Sequence, residues 1–175
     1  MSEAVADLTD PAFAAAWQLL AAIPDPEIPV ISIVELGIVR ALRRDGDALV
    51  VTVTPTYSGC PATAMIESDI LQALERSGET GCRVETQLAP AWTTDWIAPE
   101  ARERLRVYGI VPPGERAAGK RVNVSGLRRA RVVAIACPRC GSAHTTELSR
   151  FGSTACKAQY RCEDCREPFD YFKPH

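Results

Sequence analysis

Apolar residues recur at helical spacing from Phe13 through Ala16, Trp17 and Leu20 to Ile23. Asp10 ahead of them is placed to cap, and Pro11 to occupy the first helical position, so a core-packing helix is predicted there. The run Asp25-Pro26-Glu27-Ile28-Pro29 follows, and its two prolines forbid helix and hold the backbone extended or turned. Residues 38 to 43 and 48 to 54 are rich in Val, Ile, Leu and Thr; with Asp45-Gly46 between them they read as a β-hairpin. Met65, Ile66, Ile70, Ala73 and Leu74 then mark an amphipathic helix that stops near Gly78. From 82 to 88 the pattern alternates, with Cys82, Val84, Thr86 and Leu88 on one face, which predicts a strand half covered by helices. Past Trp92-Thr-Thr-Asp95-Trp96, Pro99 opens a charged helix whose Leu105 and Tyr108 are expected to face inward before it ends at Gly109. The order of elements sets a first domain at residues 1–113, a linker at 114–131 with little apolar periodicity, and a small module at 132–175 that begins with a short strand.

Composition changes this picture little. At 175 residues and 46% hydrophobic content, the chain suits one folded domain plus a small module. Neither a signal peptide at the start nor an apolar run of about 20 residues is found, so a cytoplasmic protein without a membrane span is expected. Charge is unevenly divided: residues 1 to 99 hold 5 Lys/Arg against 14 Asp/Glu, whereas residues 100 to 175 hold 15 against 8. Such a dipole suits docking on a partner, while the scatter of the basic residues argues against nucleic acid.

The cysteines carry the chemistry. Cys137-Pro-Arg-Cys140 and Cys162-Glu-Asp-Cys165 are two C-x-x-C pairs separated by 21 residues. Each pair reaches one ion from a single tight turn, and two turns supply the tetrahedral four-sulfur shell that Zn²⁺ favours. A segment this short and this poor in large apolar residues does not order itself without a metal or disulfides, so one structural zinc in a zinc ribbon is expected. Two disulfides are the alternative; an odd total of seven cysteines and a reducing compartment argue against it. His144 lies four residues after Cys140 and, with four cysteines at hand, is read as a surface residue rather than a ligand.

Cys60 lies where the second strand of the hairpin hands over to a helix, between Gly59 and Pro61. The free N–H groups of a first helical turn favour an anion there, which makes Cys60 a candidate nucleophile or metal ligand; a small hydrophobe in a tight loop is the other reading. Asp25 and Glu27, spaced i, i+2, suit metal ligation, proton handling or capping. A solvated turn fits them as well, unless the fold brings them beside Cys60. Cys82 is expected in the core. Cys156, beside Lys157, is either a redox-active thiol, a substitute ligand or a packing residue.

Taken in order, the Asp25–Pro29 run, Leu36-Gly37-Ile38-Val39, the Ser58-Gly59-Cys60-Pro61 turn and the Trp92–Trp96 segment resemble the iron–sulfur assembly domain shared by SufT-like proteins and a component of the cytosolic iron–sulfur targeting complex. That resemblance covers about residues 11 to 113. With Phe151-Gly-Ser-Thr-Ala-Cys156-Lys157 and Glu167-Pro-Phe-Asp-Tyr-Phe-Lys173 added, the whole chain is similar to the PaaD (PaaJ) family of accessory proteins of the phenylacetyl-CoA epoxidase system. The resemblance implies an α+β fold, a small sheet with helices packed on it, followed by a zinc-ribbon β module. It further implies a non-catalytic factor that assists iron or iron–sulfur assembly in the oxygenase or reductase component of the epoxidase complex. Cys60 would be its metal-binding thiol, with Asp25 and Glu27 in the accompanying acidic motif and a homodimer as the assembled form. One departure is visible: some family members carry a further cysteine near the C-terminus, whereas Pro174 stands here, which argues against a role for a terminal thiol.

Two other classes fit the residues less well. A zinc-ribbon module binding nucleic acid or protein would rest, for nucleic acid, on Arg128, Arg129, Arg131 and Arg139. A thiol enzyme using Cys60 lacks a convincing base, since the first domain has no histidine and offers only Asp25 or Glu27.

Overall fold

A computed structural model of the protein describes residues 11–114 and 135–175. Asp10, residues 115–131 of the linker with Arg128, Arg129 and Arg131, and most of the strand expected at Val132–Ala136 lie outside the described residues. Two compact units divide between Arg104 and Leu105, His175 belonging with the first.

In the first unit, a single 3₁₀ turn at Pro11–Phe13 leads into α1 (Ala14–Ala21). Phe13, Ala16, Trp17, Leu20 and Ile23 are buried, as their spacing predicts. The hairpin forms from β1 (Val39–Asp45) and β2 (Ala48–Val53), paired antiparallel from Val39↔Val53 to Asp45↔Ala48. Gly46 takes φ 59° in its turn, a conformation open to glycine at little cost. α2 (Thr63–Arg76) then crosses over to β3 (Arg83–Thr86), which pairs parallel to β2, and the sheet order is β1-β2-β3. β2 is central: Val50 and Val51, pointing to opposite faces, are both wholly buried. On α2, Ile66, Ile70 and Leu74 are buried one turn apart, each worth about 1.5–3 kcal/mol of burial. Met65 is 56% exposed, because it sits one residue off that stripe. The boundary between the units falls within α3 (Pro99–Tyr108), which buries Ala101 and Leu105 and ends at Gly109, φ 100°. Tyr108, expected inside, is exposed; the i, i+4 pair on the buried face is Ala101 and Leu105.

Cys82 also departs from expectation. It precedes an edge strand whose residues are half-buried at most, so it is half-buried itself and leans its thiol toward the Glu79 carbonyl at 3.8 Å. Burial, the first influence on it, pushes its thiol pKa up. A period-2 pattern marks a strand without saying whether anything covers its face.

The second unit is a sheet of order β4-β7-β6-β5, from β4 (Ile110–Val111), β5 (Thr145–Ser149), β6 (Lys157–Cys162) and β7 (Pro168–Phe172). β5, β6 and β7 are antiparallel, and β4 adds parallel to β7 through Ile110↔Asp170. The mixed α+β architecture and the terminal β module match the expected fold class. Among the described residues, no helix is long and apolar enough to cross a membrane.

Candidate metal centre and thiol loop

Each C-x-x-C pair sits on a tight turn built by its own backbone. After Cys137, the N–H of Gly141 returns to the Cys137 carbonyl at 2.9 Å, and the N–H of Cys137 reaches the Ser142 carbonyl at 2.8 Å. This turn needs a left-handed residue, and Gly141 supplies it at φ 75°. The second turn repeats the design: Cys162 N–H donates to the Glu167 carbonyl at 3.0 Å, and Arg166 takes φ 67° where the first turn has glycine. Cys165 N–H points at the Cys162 sulfur at 3.5 Å, which orients that sulfur as an acceptor.

The β6–β7 hairpin carries one turn and the segment before β5 the other, so the four sulfurs meet. Cys137, Cys140, Cys162 and Cys165 have Sγ atoms all within 4.8 Å of one another, with 3.7 Å between Cys137 and Cys165 and 3.5 Å between Cys140 and Cys162. A tetrahedral ion with bonds of about 2.3 Å sets its sulfurs about 3.8 Å apart, so the four thiols fit one zinc ion and need no disulfide. Held this close, they resist ionising together. Cys162 is lowered to about 7, first by the Cys165 N–H, whereas Cys140 is pushed up to about 12: the Ser142 backbone favours its thiolate, but its bond to Cys162 and burial outweigh that. Cys137 and Cys162 are buried and pack with Phe169, flanked by Val111, Ile135 and Tyr160. Cys156, Ala158 and Phe172 are the further buried apolar residues of the β6–β7 hairpin, a small core of the kind that a structural metal commonly supports. His144 is on the surface, its Nδ1 3.3 Å from Asp164, whose other oxygen accepts from Ser142 at 2.5 Å. Cys156 is buried outside the cluster, 3.0 Å from the Thr154 hydroxyl.

In the first unit, Cys60 is half-exposed in the loop from β2 to α2. Its N–H donates to the Tyr57 carbonyl at 3.3 Å, and its own carbonyl accepts from Thr63 at 3.2 Å. The helix begins at Thr63 with Ala62 as its N-cap, so Cys60 and Pro61 belong to the turn before it rather than to the first helical turn expected there. Beside this loop lies an open hollow of about 430 Å³, lined by residues that include Thr54, Tyr57, Ser58, Leu88 and Trp92. Trp92 is buried and donates from its indole to the Leu36 carbonyl at 3.0 Å, which ties the Trp92–Trp96 segment to Leu36-Gly37. Gly37, at φ 75°, lies so close to Trp96 that a Cβ there would come within 2.7 Å of its backbone carbonyl. Arg40 covers the Trp96 ring at 3.5 Å.

Asp25 and Glu27 differ in setting. Asp25 is buried, and its Oδ1 accepts the N–H groups of Glu27 at 2.9 Å and Ile28 at 2.8 Å, so it caps its own proline turn. Glu27 is half-exposed. Among the described residues, the ribbon cysteines are the one group of three or more His, Cys, Asp or Glu close enough to share an ion, and Cys60, Asp25 and Glu27 form no such group. A reciprocal pair was missed: Ser32 N–H donates to Glu35 at 2.9 Å, Glu35 N–H returns to the Ser32 hydroxyl at 3.2 Å, and Arg104 bonds Glu35. The S-x-x-E spacing of a capping box was its signal.

Comparison with known proteins agrees with both halves. Residues 14–86 match the family described as iron–sulfur cluster assembly protein, and residues 121–173 match the PaaD zinc beta ribbon domain. A crystal structure of a domain of unknown function, DUF59, from Bacillus anthracis superimposes with a TM-score of 0.50 at 30% identity, over 54% of this chain and 92% of that one. An Fe–S protein maturation auxiliary factor of Porphyromonas gingivalis is 33% identical over 50% of this chain and 85% of its own length. An Escherichia coli K12 protein designated as a subunit of 1,2-phenylacetyl-CoA epoxidase is 55% identical over 90% of both chains. The chain therefore belongs to the family of this epoxidase subunit, in which an iron–sulfur assembly domain precedes a PaaD zinc ribbon.

Proposed function

We propose that the protein is a non-catalytic accessory factor of a phenylacetyl-CoA epoxidase system, acting in the cytoplasm to help place iron or an iron–sulfur cluster in the oxygenase or reductase component. The relative at 55% identity, named as an epoxidase subunit, supports the system, and the match to the iron–sulfur assembly family supports the task. One structural observation carries the mechanism: Cys60 is half-exposed and belongs to no ligand group within the described residues of its own chain. Iron held by its sulfur takes its remaining ligands from another molecule, a client or a second copy in a homodimer. A site completed only in a complex gives up its metal when the complex parts, which suits delivery. Of the acidic pair, Asp25 fixes the shape of its loop, and Glu27 is the carboxylate more open to the metal.

In this reading Cys137, Cys140, Cys162 and Cys165 hold one structural zinc. That ion contributes folding of the ribbon, and iron passes through the thiol loop instead. Anaerobic reconstitution tests the assignment: iron-dependent visible absorbance is expected in the parent and lost in Cys60→Ala, with one zinc per chain retained in both. Equal iron binding by the variant would remove Cys60 from the mechanism.

A further inference from the structure

Two segments singled out in the sequence, Phe151–Lys157 and Glu167–Lys173, contribute nothing to the thiol loop and no zinc ligand. The register of β6 and β7 brings them together, with Lys157 opposite Phe172 and Ala158 opposite Tyr171. Where they meet lies an open hollow of about 440 Å³ walled by Glu147, Arg150, Phe151, Tyr160, Tyr171 and Lys173. We propose that this hollow is a docking site for an acidic segment of a partner protein that carries an aromatic or large aliphatic anchor.

Shape supports the anchor. Phe151 is 65% exposed, yet it is held in place: its carbonyl accepts from the Ser149 hydroxyl at 2.8 Å, its N–H returns to the same oxygen at 3.2 Å, and Gly152 N–H bonds the Lys157 carbonyl at 2.8 Å. Beneath, Lys157 is buried 3.8 Å from Asp170 and ties the two strands together. Tyr160, set edge-on to Tyr171 with centroids 5.8 Å apart at 86°, also lines the hollow. Fixed aromatic walls around an open space are what an inserted side chain needs, since little ordering remains to be done on binding.

Charge supports the acidic flanks. Lys173 lies over the Phe151 ring at 4.5 Å and donates to the Arg150 carbonyl, and the Arg150 guanidinium has no partner among the described residues. Glu147, the one carboxylate of the wall among the described residues, already accepts from the Tyr160 hydroxyl at 3.0 Å. Two cations and an occupied carboxylate suit a short acidic peptide. They suit a polyphosphate chain poorly, because Glu147 would face its backbone. Tyr160 also stacks on Phe169 at 5.9 Å, and Phe169 packs with Cys137 and Cys162, so the wall of the hollow stands on the metal core.

The site is independent of what Cys60 carries. The test is a selection of random dodecapeptides on the full-length, zinc-loaded protein, followed by fluorescence anisotropy with a labelled selected peptide. Enrichment of Asp and Glu around Trp, Phe or Leu is expected. Phe151→Ser, and Arg150→Glu combined with Lys173→Glu, should each weaken that peptide by about tenfold or more while zinc content stays at one per chain. Arg76→Glu, a charge change in the other unit, should leave it as in the parent. Three results would each overturn the proposal: no enrichment over the starting library, peptides that bind Phe151→Ser as tightly as the parent, or a twelve-nucleotide oligo(U) bound more tightly through the same residues.

Discussion

Replacing Gly37 by alanine separates two physical effects that usually arrive together. The backbone there has φ 75°, and an added Cβ would lie 2.7 Å from both the Cβ and the carbonyl oxygen of Trp96. The left-handed conformation alone costs about 1 kcal/mol with a side chain. The clash adds about 1–3 kcal/mol, because the opposing atoms are backbone and a ring stem that Arg40 covers on one face. The sum is about 2–4 kcal/mol. With an unfolding entropy of about 2.1 cal/mol/K per residue, a unit of about 100 residues should melt about 10–20 °C lower. Gly78→Ala is the control, since Gly78 has φ 91° and nothing within 4 Å of the added atom, so its shift should be about 5 °C. Trp17, Trp92 and Trp96 are the chain's three tryptophans and all lie in the first unit, so near-ultraviolet circular dichroism at their wavelengths reads that unit alone. Equal shifts for the two variants would refute the claim that Trp96 packs on this glycine.

Removing zinc with a chelator should raise amide exchange throughout β5, β6 and β7 and leave β1, β2 and α2 protected; ribbon amides that stay protected after complete metal loss would show that the metal does not fold it. Asp25→Ala strips the acceptor from two N–H groups and should cost about 1–3 kcal/mol, whereas Asp25→Asn keeps an oxygen there and should fold as the parent by chemical denaturation. Arg166→Gly should be tolerated within about 0.5 kcal/mol, while Gly141→Val, at the matching position of the first turn, should cost about 1–2 kcal/mol and speed zinc loss to a chelator. Burial pushes the Glu35 carboxyl up, but Ser32 and Arg104 lower it further, so its folded pKa lies below the ordinary value. Its stabilisation is therefore full above about pH 4.3, the unfolded value, and lost as pH falls through the folded one. Glu35→Gln should abolish that part of the acid-side slope in denaturation measured from pH 6 to 3; an unchanged slope would refute the assignment.

Spacing made much of this legible. C-x-x-C pairs state their ligand geometry in the chain, and the knuckle turns close on local hydrogen bonds, so the ribbon could be read before its strands were placed. The buried stripe of α1, the hairpin about Gly46 and the stop at Gly78 are likewise local. Tyr108 and Cys82, expected inside, are not buried, because periodicity reports which residues share a face, and burial depends on whether another element arrives to cover it. Asp25 and Glu27 look equivalent as an i, i+2 pair; the turn that buries one and half-exposes the other is set by the prolines and by Asp25 bonding its own backbone. Arg166 in a glycine's conformation had no sequence signal at all.

What the chain alone determined is therefore whatever depends on neighbours a few residues apart: helix faces, turns, the four-sulfur site and the family to which its motifs point. Tertiary structure decided the rest. It added β4 to the ribbon sheet across a long separation, left Cys60 in no ligand group among the described residues, and joined two remote motifs in one aromatic hollow beside positive charge. Those features depend on which strands pair and in what register, a choice made by burial summed over each unit rather than by any local run of residues.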